Sequence, residues 1–495
     1  MENAGTRSQW TRWPAFLVIA LVGLAVRLPQ LGARPMHTDE AVNAYVVGQL
    51  LAGQSFTYDS QDRHGPTLAA IALPIAGAQG AKAFSGLTES DVRLTPVLAG
   101  TATILLFGAA VEIFSFVPCL IAALLFAVAP LPVYYDRCFI HESVFVVATF
   151  GLILCGWRAC KRNSVVQAAL AGACAALMLA TKETAVLHFV ALAVAAFVFW
   201  FWNLRRQDWR TLLRPSVVLI AVITFLVLGV LLFTWFGRNW QALAELLHGT
   251  QKLLARAGGQ GHQKPFWYYA QLLAGGWAGG LLCALACVGW FESFRRRISA
   301  GYAFLAYYGL LLAAIYSLIP YKTPWLALNF WLPITLFAAR GAESIWRIAA
   351  RHLPLRAAAA VFCGLAVMAA VLIAHDTRER VFVHPAEETN PYAYAHTSDD
   401  LLGLPAEIEQ IARQNSIAAP RIAVIALDPW PLPWYLRHFS QVGFWQPGQQ
   451  IGEADFYITS TEAAQQYDDR LRNLRPDFFG ERPGVLILLW SPAPK

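Results

Sequence analysis

YYDRCFIHESVFVVATFGLILCGWRACKR, residues 134–162, is the stretch that decides the fold. From Val144 to Cys155 it carries no charge, with Asp136, Arg137, His141 and Glu142 on one side and Arg158, Lys161 and Arg162 on the other. An uncharged apolar run of this kind crosses a bilayer as a helix, because in hydrocarbon the backbone must satisfy its own hydrogen bonds. The basic end is the one that stays in the cytoplasm. The stretch therefore reads as a span whose outer end carries acids, a guanidinium and an imidazole.

The same reading extends along the chain. Apolar runs near 14–32, 92–114, 117–134, 140–159, 163–181, 184–203, 216–236, 268–291, 300–319, 325–345 and 356–375 give about eleven spans. The content of 57% hydrophobic and 14% charged residues, with a mean hydropathy of +0.46, exceeds what a soluble domain buries. With the N-terminus inside, the clusters Arg158/Lys161/Arg162, Arg205/Arg206/Arg210/Arg214, Arg295/Arg296/Arg297 and Arg347/Arg351/Arg356 all fall on the cytoplasmic side. The net charge of +7 is thus accounted for by topology, and no nucleic acid is expected as a partner. The basic N-terminus before Phe16 is read as leading into a retained first helix rather than a cleaved signal peptide. The eight cysteines lie in or beside apolar runs and suggest no disulfide framework.

The expected architecture is a polytopic α-helical membrane protein, N-in and C-out. A transmembrane domain covers 1–375, and a small extracytoplasmic α/β domain covers 376–495. The first outer loop, 33–91, holds two juxtamembrane helices: Glu40–Gly53, with Ala44, Val47, Leu50 and Leu51 at helical spacing, and the weaker apolar run 67–85, interrupted by Pro74 and Lys82. In the C-terminal part a helical pattern at 399–414 precedes strand-like runs at 421–427, 441–445, 454–460 and 484–490. No Walker loop or GxGxxG fingerprint is present, so a nucleotide is not expected.

On this topology the unusual chemistry gathers on the outer side. His37-Thr38-Asp39-Glu40 places two carboxylates just after the first span, as a general base, as ligands of a divalent cation, or as first-turn acids of the next helix. Asp62-Arg63-His64-Gly65-Pro66 sets a guanidinium and an imidazole at a turn, where Arg63 suits a phosphate. Tyr135, Asp136, Arg137, His141 and Glu142 lie at the ends of two spans, where an unpaired charge is expensive. Lys182-Glu183 and Tyr321-Lys322-Thr323-Pro324-Trp325 each add a cation, for which snorkelling is the plain reading. Together they offer the cations that displacement of a lipid-linked phosphate needs and a base for a hydroxyl acceptor. The histidines lack zinc spacing; no cofactor is required, and a divalent Mn or Mg ion at Asp39 and Glu40 is left open.

The acidic pair after the first span, the long first loop, and Arg137, Glu142 and Lys182 at later span ends resemble the GT-C membrane glycosyltransferases. The resemblance is to the protein O-mannosyltransferase and aminoarabinose-transferase branch, most clearly in DRHGPTLAAIALPIAGAQGAKAFSGLTESDVRLTPVLAG (62–100). TKET (181–184), YKTPW (321–325), NPYAYAHT (390–397) and DPWPLPWYLR (428–437) resemble a subgroup described as flippase-activity-associated. The resemblance implies a polyprenyl-phosphate-linked sugar as donor, inverting transfer to a glycan, lipid or protein acceptor outside the cytoplasm, and a multi-pass protein of the inner or plasma membrane. It implies Asp39 as the catalytic carboxylate with Glu40 beside it, and Arg63, Arg137 and Lys182 around the lipid phosphate, to which His64 and Lys322 are added as further phosphate-binding candidates. Asp62, Tyr135, Asp136, His141, Glu142, Glu183, Tyr321 and Trp325 then support them. Asp-Arg-His replaces the Lys-Pro-Pro-type start of that branch. Two other readings stand: a non-catalytic protein that binds lipid-linked saccharide and assists its flipping, and, ranked last, a transporter, whose charges should lie at mid-depth.

Overall fold

A computed structural model describes residues 12–59, 64–201, 214–256, 262–295 and 299–493. The basic runs at 205–210 and 296–297 lie outside them. The chain divides into two compact units: one of Met1–Pro29, Ser55–Ile71 and Arg93–Val383, the other of Gln30–Gln54, Ala72–Val92 and His384–Lys495. The second unit thus joins the C-terminal domain to two pieces of the first loop.

The first unit is helical. Each apolar run of the sequence becomes a helix or a helix pair: Trp13–Arg27, Glu89–Ala109, Phe116–Val128 with Pro130–Tyr135, Glu142–Arg162, Val165–Thr181, Ala185–Phe199, Pro215–Phe233, Tyr268–Ala274 with Gly276–Arg295, Ala300–Leu318, Leu328–His352 and Leu355–Thr377. Among the described residues five helices are long and apolar enough to cross a membrane, six with the bent pair, and five shorter apolar helices accompany them. Pro215–Phe233 leaves Leu219, Leu226 and Val227 exposed, and Leu355–Thr377 leaves Val367 and Val371 exposed. Such surfaces belong in hydrocarbon. Between helices, small residues bring backbones together: a methyl added at Gly172 would strike the Ala221 carbonyl, and one at Gly289 that of Phe337.

One expected span is not straight. The run 268–291 breaks into two helices bent by 106° at Gly275–Gly276. Gly276 has φ +77°, a conformation that glycine tolerates, and Asp376 accepts the Ala278 N–H at 2.8 Å at the start of the second helix.

Helix ends sort the charges. Glu142 opens the helix that closes on Lys161 and Arg162, and the next helix, opening at Val165, returns to Thr181 and Lys182. At the Arg162 end, Arg158 and Arg162 both pair with Glu112. Glu142 and Lys182 therefore share the opposite end.

The second unit is built on a five-stranded mixed sheet: β1 (Arg421–Ile425), β2 (Gln441–Trp445), β3 (Phe456–Ser460), β4 (Arg475–Arg482) and β5 (Val485–Ser491), in the order β2-β1-β3-β5-β4. β1 pairs in parallel with β2 and β3, and β5 runs antiparallel to β3 and β4. Ala423 and Ile425 of β1 pack with Ile451, Tyr457, Ala463 and Leu471. The helical pattern at 399–414 forms as a 3₁₀ turn, Asp399–Leu402, and the helix Leu404–Gln414. β4 was not among the expected strands, because RPDFFGER shows no clean alternation. The turn at Pro483-Gly484, with Gly484 at φ +77°, folds it onto β5.

Candidate active site

The acidic motif after the first helix separates two neighbouring carboxylates. His37 is the N-cap of the helix Thr38–Leu51: its Nδ1 accepts the Asp39 N–H at 3.0 Å, and Glu40 reaches back to accept the His37 N–H at 3.1 Å. The His37 Nε2 lies 3.1 Å from the Tyr394 carbonyl, so the network assigns the ring proton to Nε2. Glu40 is fully buried, with each oxygen 3.2 Å from Arg34 Nη2. Its carboxylate is a structural anchor. Asp39 is exposed, and its carboxylate has no side-chain partner among the described residues.

Residues that the sequence singled out only as motifs hold this loop. Thr397 donates to the Met36 carbonyl at 2.7 Å, Tyr435 accepts the Met36 N–H at 2.9 Å, and His396 packs edge-on against His37. NPYAYAHT and DPWPLPWYLR thus fix the backbone that presents Asp39. Trp434 of DPWPLPWYLR is fully buried: its Nε1 donates to Glu89 at 2.8 Å and the Arg437 guanidinium lies 3.8 Å over its ring. Trp434 is therefore core. Trp430 is half-buried against Tyr45.

In the first unit, His64, His141, Glu142, Lys182 and Glu183 come together. Lys182 donates to Glu142, whose carboxylate is 2% exposed. Glu183 accepts His64 Nδ1 at 2.7 Å on one oxygen and the Tyr58 hydroxyl at 2.7 Å on the other. Burial alone would raise the Glu183 carboxyl, but His64 and the hydrogen bonds override it and bring it to about 2. The rings of His64 and His141 stack edge-to-face, with centroids 4.8 Å apart. Burial, and then the charges of His64 and Lys182, hold His141 well below its ordinary value, so it stays neutral. Behind them His188 bonds the hydroxyls of Tyr308 and Tyr316 at 2.8 and 3.2 Å. Tyr308 and Tyr316 had no sequence signal, since single tyrosines in apolar runs read as packing, and Tyr58 stands in a polar stretch of the first loop with no motif around it.

The remaining candidates are placed differently. Asp136 is buried in an ion pair with Arg27 at 2.8 Å, which also donates to the carbonyls of Gly23, Ala127 and Phe126. Burial raises the Asp136 carboxyl, and Arg27 counters it. Arg137 donates to the carbonyls of Arg27 and Pro29 at 2.5 and 2.6 Å, capping the first helix, and its guanidinium lies 4.8 Å over Phe382. Tyr135 is buried edge-on against Tyr134. Lys322 is 1% exposed, and among the described residues its ammonium meets only the Ile319 and Lys264 carbonyls, at 2.5 and 3.4 Å; burial lowers its pKa. Tyr321 bridges to Gln263 and stacks on His262, while Trp325 is half-buried in a 3₁₀ turn. Asp62 and Arg63 lie outside the described residues. Among the described residues no three His, Cys, Asp or Glu side chains converge as metal ligands. The commitment of Glu40 to Arg34 and the helix cap does not fit a chelating Asp39–Glu40 pair.

Residues 77–235 match the model of the dolichyl-phosphate-mannose-protein mannosyltransferase family. The whole chain is similar in structure to ArnT from Cupriavidus metallidurans bound to undecaprenyl phosphate, with 15% identity, 96% of this chain and 97% of that one covered, and a TM-score of 0.64. In its apo state the same enzyme gives 16% identity, 98% coverage of both chains and a TM-score of 0.65. The archaeal oligosaccharyltransferase AglB from Archaeoglobus fulgidus, in complex with an inhibitory peptide and a dolichol-phosphate, gives 12% identity, 97% and 74% coverage and a TM-score of 0.59. No curated protein sequence matches. At these identities the likeness is one of fold.

Proposed function

We propose, from the premise that this chain has the fold of the GT-C membrane glycosyltransferases, that it transfers a sugar from a polyprenyl-phosphate-linked donor to a hydroxyl acceptor outside the cytoplasm, with inversion. The observation that carries the reading is the cluster at one end of the helices, where Lys182, paired with Glu142, stands with His64 and Glu183. Lys182 has two further N–H bonds with no described partner, so it is able to bind a phosphate oxygen without giving up Glu142.

Inverting transfer needs a base on the acceptor and charge stabilisation on the leaving phosphate. By resemblance, Asp39, whose carboxylate is exposed with no side-chain partner among the described residues, is the base, and Lys182 and Arg63 hold the phosphate, whereas Lys322, buried against carbonyls, is not available for it. Arg137 and Asp136 are committed to the first helix and support its end. The acceptor hydroxyl attacks the anomeric carbon from the face opposite the phosphate, its proton passes to Asp39, and polyprenyl phosphate departs. The mechanism routes no step through a metal. The N-in, C-out topology, the eleven spans and the extracytoplasmic place of 376–495 belong to the same proposal, supported by the charges at the helix ends.

Membranes carrying wild type or Lys182→Ala, at equal expression, test the reading with radiolabel from a panel of short-chain polyprenyl-phosphate sugars. Transfer by wild type and its loss in the variant are expected. A wild type that binds the lipids and transfers from none of them would instead support the non-catalytic carrier.

A further inference from the structure

His64 and Glu183 form a carboxylate–imidazole pair that holding a phosphate does not by itself require. Both Glu183 oxygens are occupied, by His64 Nδ1 and by the Tyr58 hydroxyl, each at 2.7 Å. This fixes the carboxylate and, through it, the ring. With Glu183 ionised, Nδ1 carries a proton and donates. The side chains are 34% exposed for His64 and 13% for Glu183, so the imidazole projects outward from a buried counter-charge, and Nε2 has no hydrogen-bond partner among the described residues. His141 packs edge-to-face on the ring, with centroids 4.8 Å apart, and limits its rotation.

Lys182 and Glu142 cancel, which leaves Glu183 as a net negative charge while His64 is neutral. Protonated at Nε2 as well, His64 would add an N–H donor for a phosphate oxygen to the one that Lys182 presents. The Glu183 carboxylate, 2.7 Å from Nδ1, is the counter-charge that a cationic ring would face.

We propose that His64 is the proton donor to the leaving phosphate and that Glu183 is the residue that positions and charges it. The inference rests on the function proposed above. As the acceptor oxygen bonds to the anomeric carbon, the carbon–oxygen bond to phosphate breaks and its electron pair stays on the phosphate oxygen. The acceptor proton goes to the base, the Nε2 proton of His64 goes to a phosphate oxygen, and polyprenyl phosphate leaves with one negative charge fewer. His64 is left neutral, still donating from Nδ1 to Glu183.

Purified full-length protein, assayed for transfer from a short-chain polyprenyl-phosphate sugar across a pH series, decides the matter. Wild type should lose kcat as pH rises, because the reaction needs a proton donor. His64→Gln should lower kcat roughly 100-fold, with a smaller change in KM, and abolish that basic limb. Glu183→Gln, which keeps the imidazole but removes its counter-charge, should move the limb to lower pH, a shift that a packing role does not produce. A His64→Gln enzyme with the wild-type profile and kcat within about twofold would overturn the inference, leaving the glycosyltransferase reading intact. If His64→Gln does not fold, an unmoved limb in Glu183→Gln overturns it equally. A wild type that transfers from no donor overturns the reading itself, and this inference with it.

Discussion

Two adjacent carboxylates should lose very different amounts of stability to the same chemical change. Glu40→Gln removes the charge that faces Arg34 Nη2 at 3.2 Å from both oxygens, in a pair whose side chains are 8% and 0% exposed. Removing one partner of a buried ion pair costs about 3–5 kcal/mol. The amide of glutamine retains one oxygen that is able to accept the His37 N–H, so the capping contribution of about 1 kcal/mol is largely kept and the loss should sit near the lower figure. Asp39→Asn changes an exposed side chain with no described side-chain partner, in the first turn of the same helix. Only its interaction with the helix dipole is lost, about 0.3–1 kcal/mol. Unfolding of the purified proteins in mixed micelles, by SDS titration with fluorescence detection, measures both. Equal losses, or a Glu40→Gln protein as stable as wild type, would refute the division of roles.

Three more outcomes follow from the packing and the charges. A methyl at Gly100 would run into the Asp136 carboxylate, whereas one at Gly77 meets nothing within 4 Å. Gly100→Ala should therefore destabilise by about 1–3 kcal/mol and Gly77→Ala should be neutral or slightly stabilising, read by the same titration. Trp434→Ala should cost about 3–5 kcal/mol and weaken retention of the Asp39 loop, while Trp430→Ala, at a half-buried ring, should cost less; limited proteolysis after each substitution reports it. Burial raises Glu481 from 4.5 to about 7. Both states are protonated below about 4.5, and only the unfolded state ionises between there and 7, so stability falls across that window by up to about 3 kcal/mol. Glu481→Gln should flatten this dependence in thermal melts taken across the window.

The helices were legible because apolar runs between basic clusters have few other physical solutions, and the four expected strands carried β-branched and apolar residues. The sequence was silent where tertiary contacts decide. RPDFFGER becomes a strand only because β5 receives it, and the apolar run 268–291 gives no sign that Gly276 turns it through 106°. At the site, Asp39 and Glu40 are equivalent in sequence. Arg34, six residues before Glu40 and with no periodicity to mark it, distinguishes them together with the cap bond from the His37 N–H to Glu40. The pairing of Lys182 with Glu142 and of His64 with Glu183 spans 40 and 119 residues, beyond what local pattern encodes. Asp136 and Arg137 looked like partners for a ligand, and their burial against the end of the first helix was invisible until Arg27 was placed beside them.

The central claim is that this chain breaks a sugar–phosphate bond, and product balance in a single turnover tests it most directly. Purified wild type, given a polyprenyl-phosphate sugar labelled in both sugar and lipid together with an extract of glycan, lipid and protein acceptors, should yield glycosylated acceptor and polyprenyl phosphate in equal amounts. Asp39→Asn, folded and binding the donor equally, should yield neither. Intact donor recovered from wild type would contradict the account, and undiminished transfer by Asp39→Asn would contradict its choice of base.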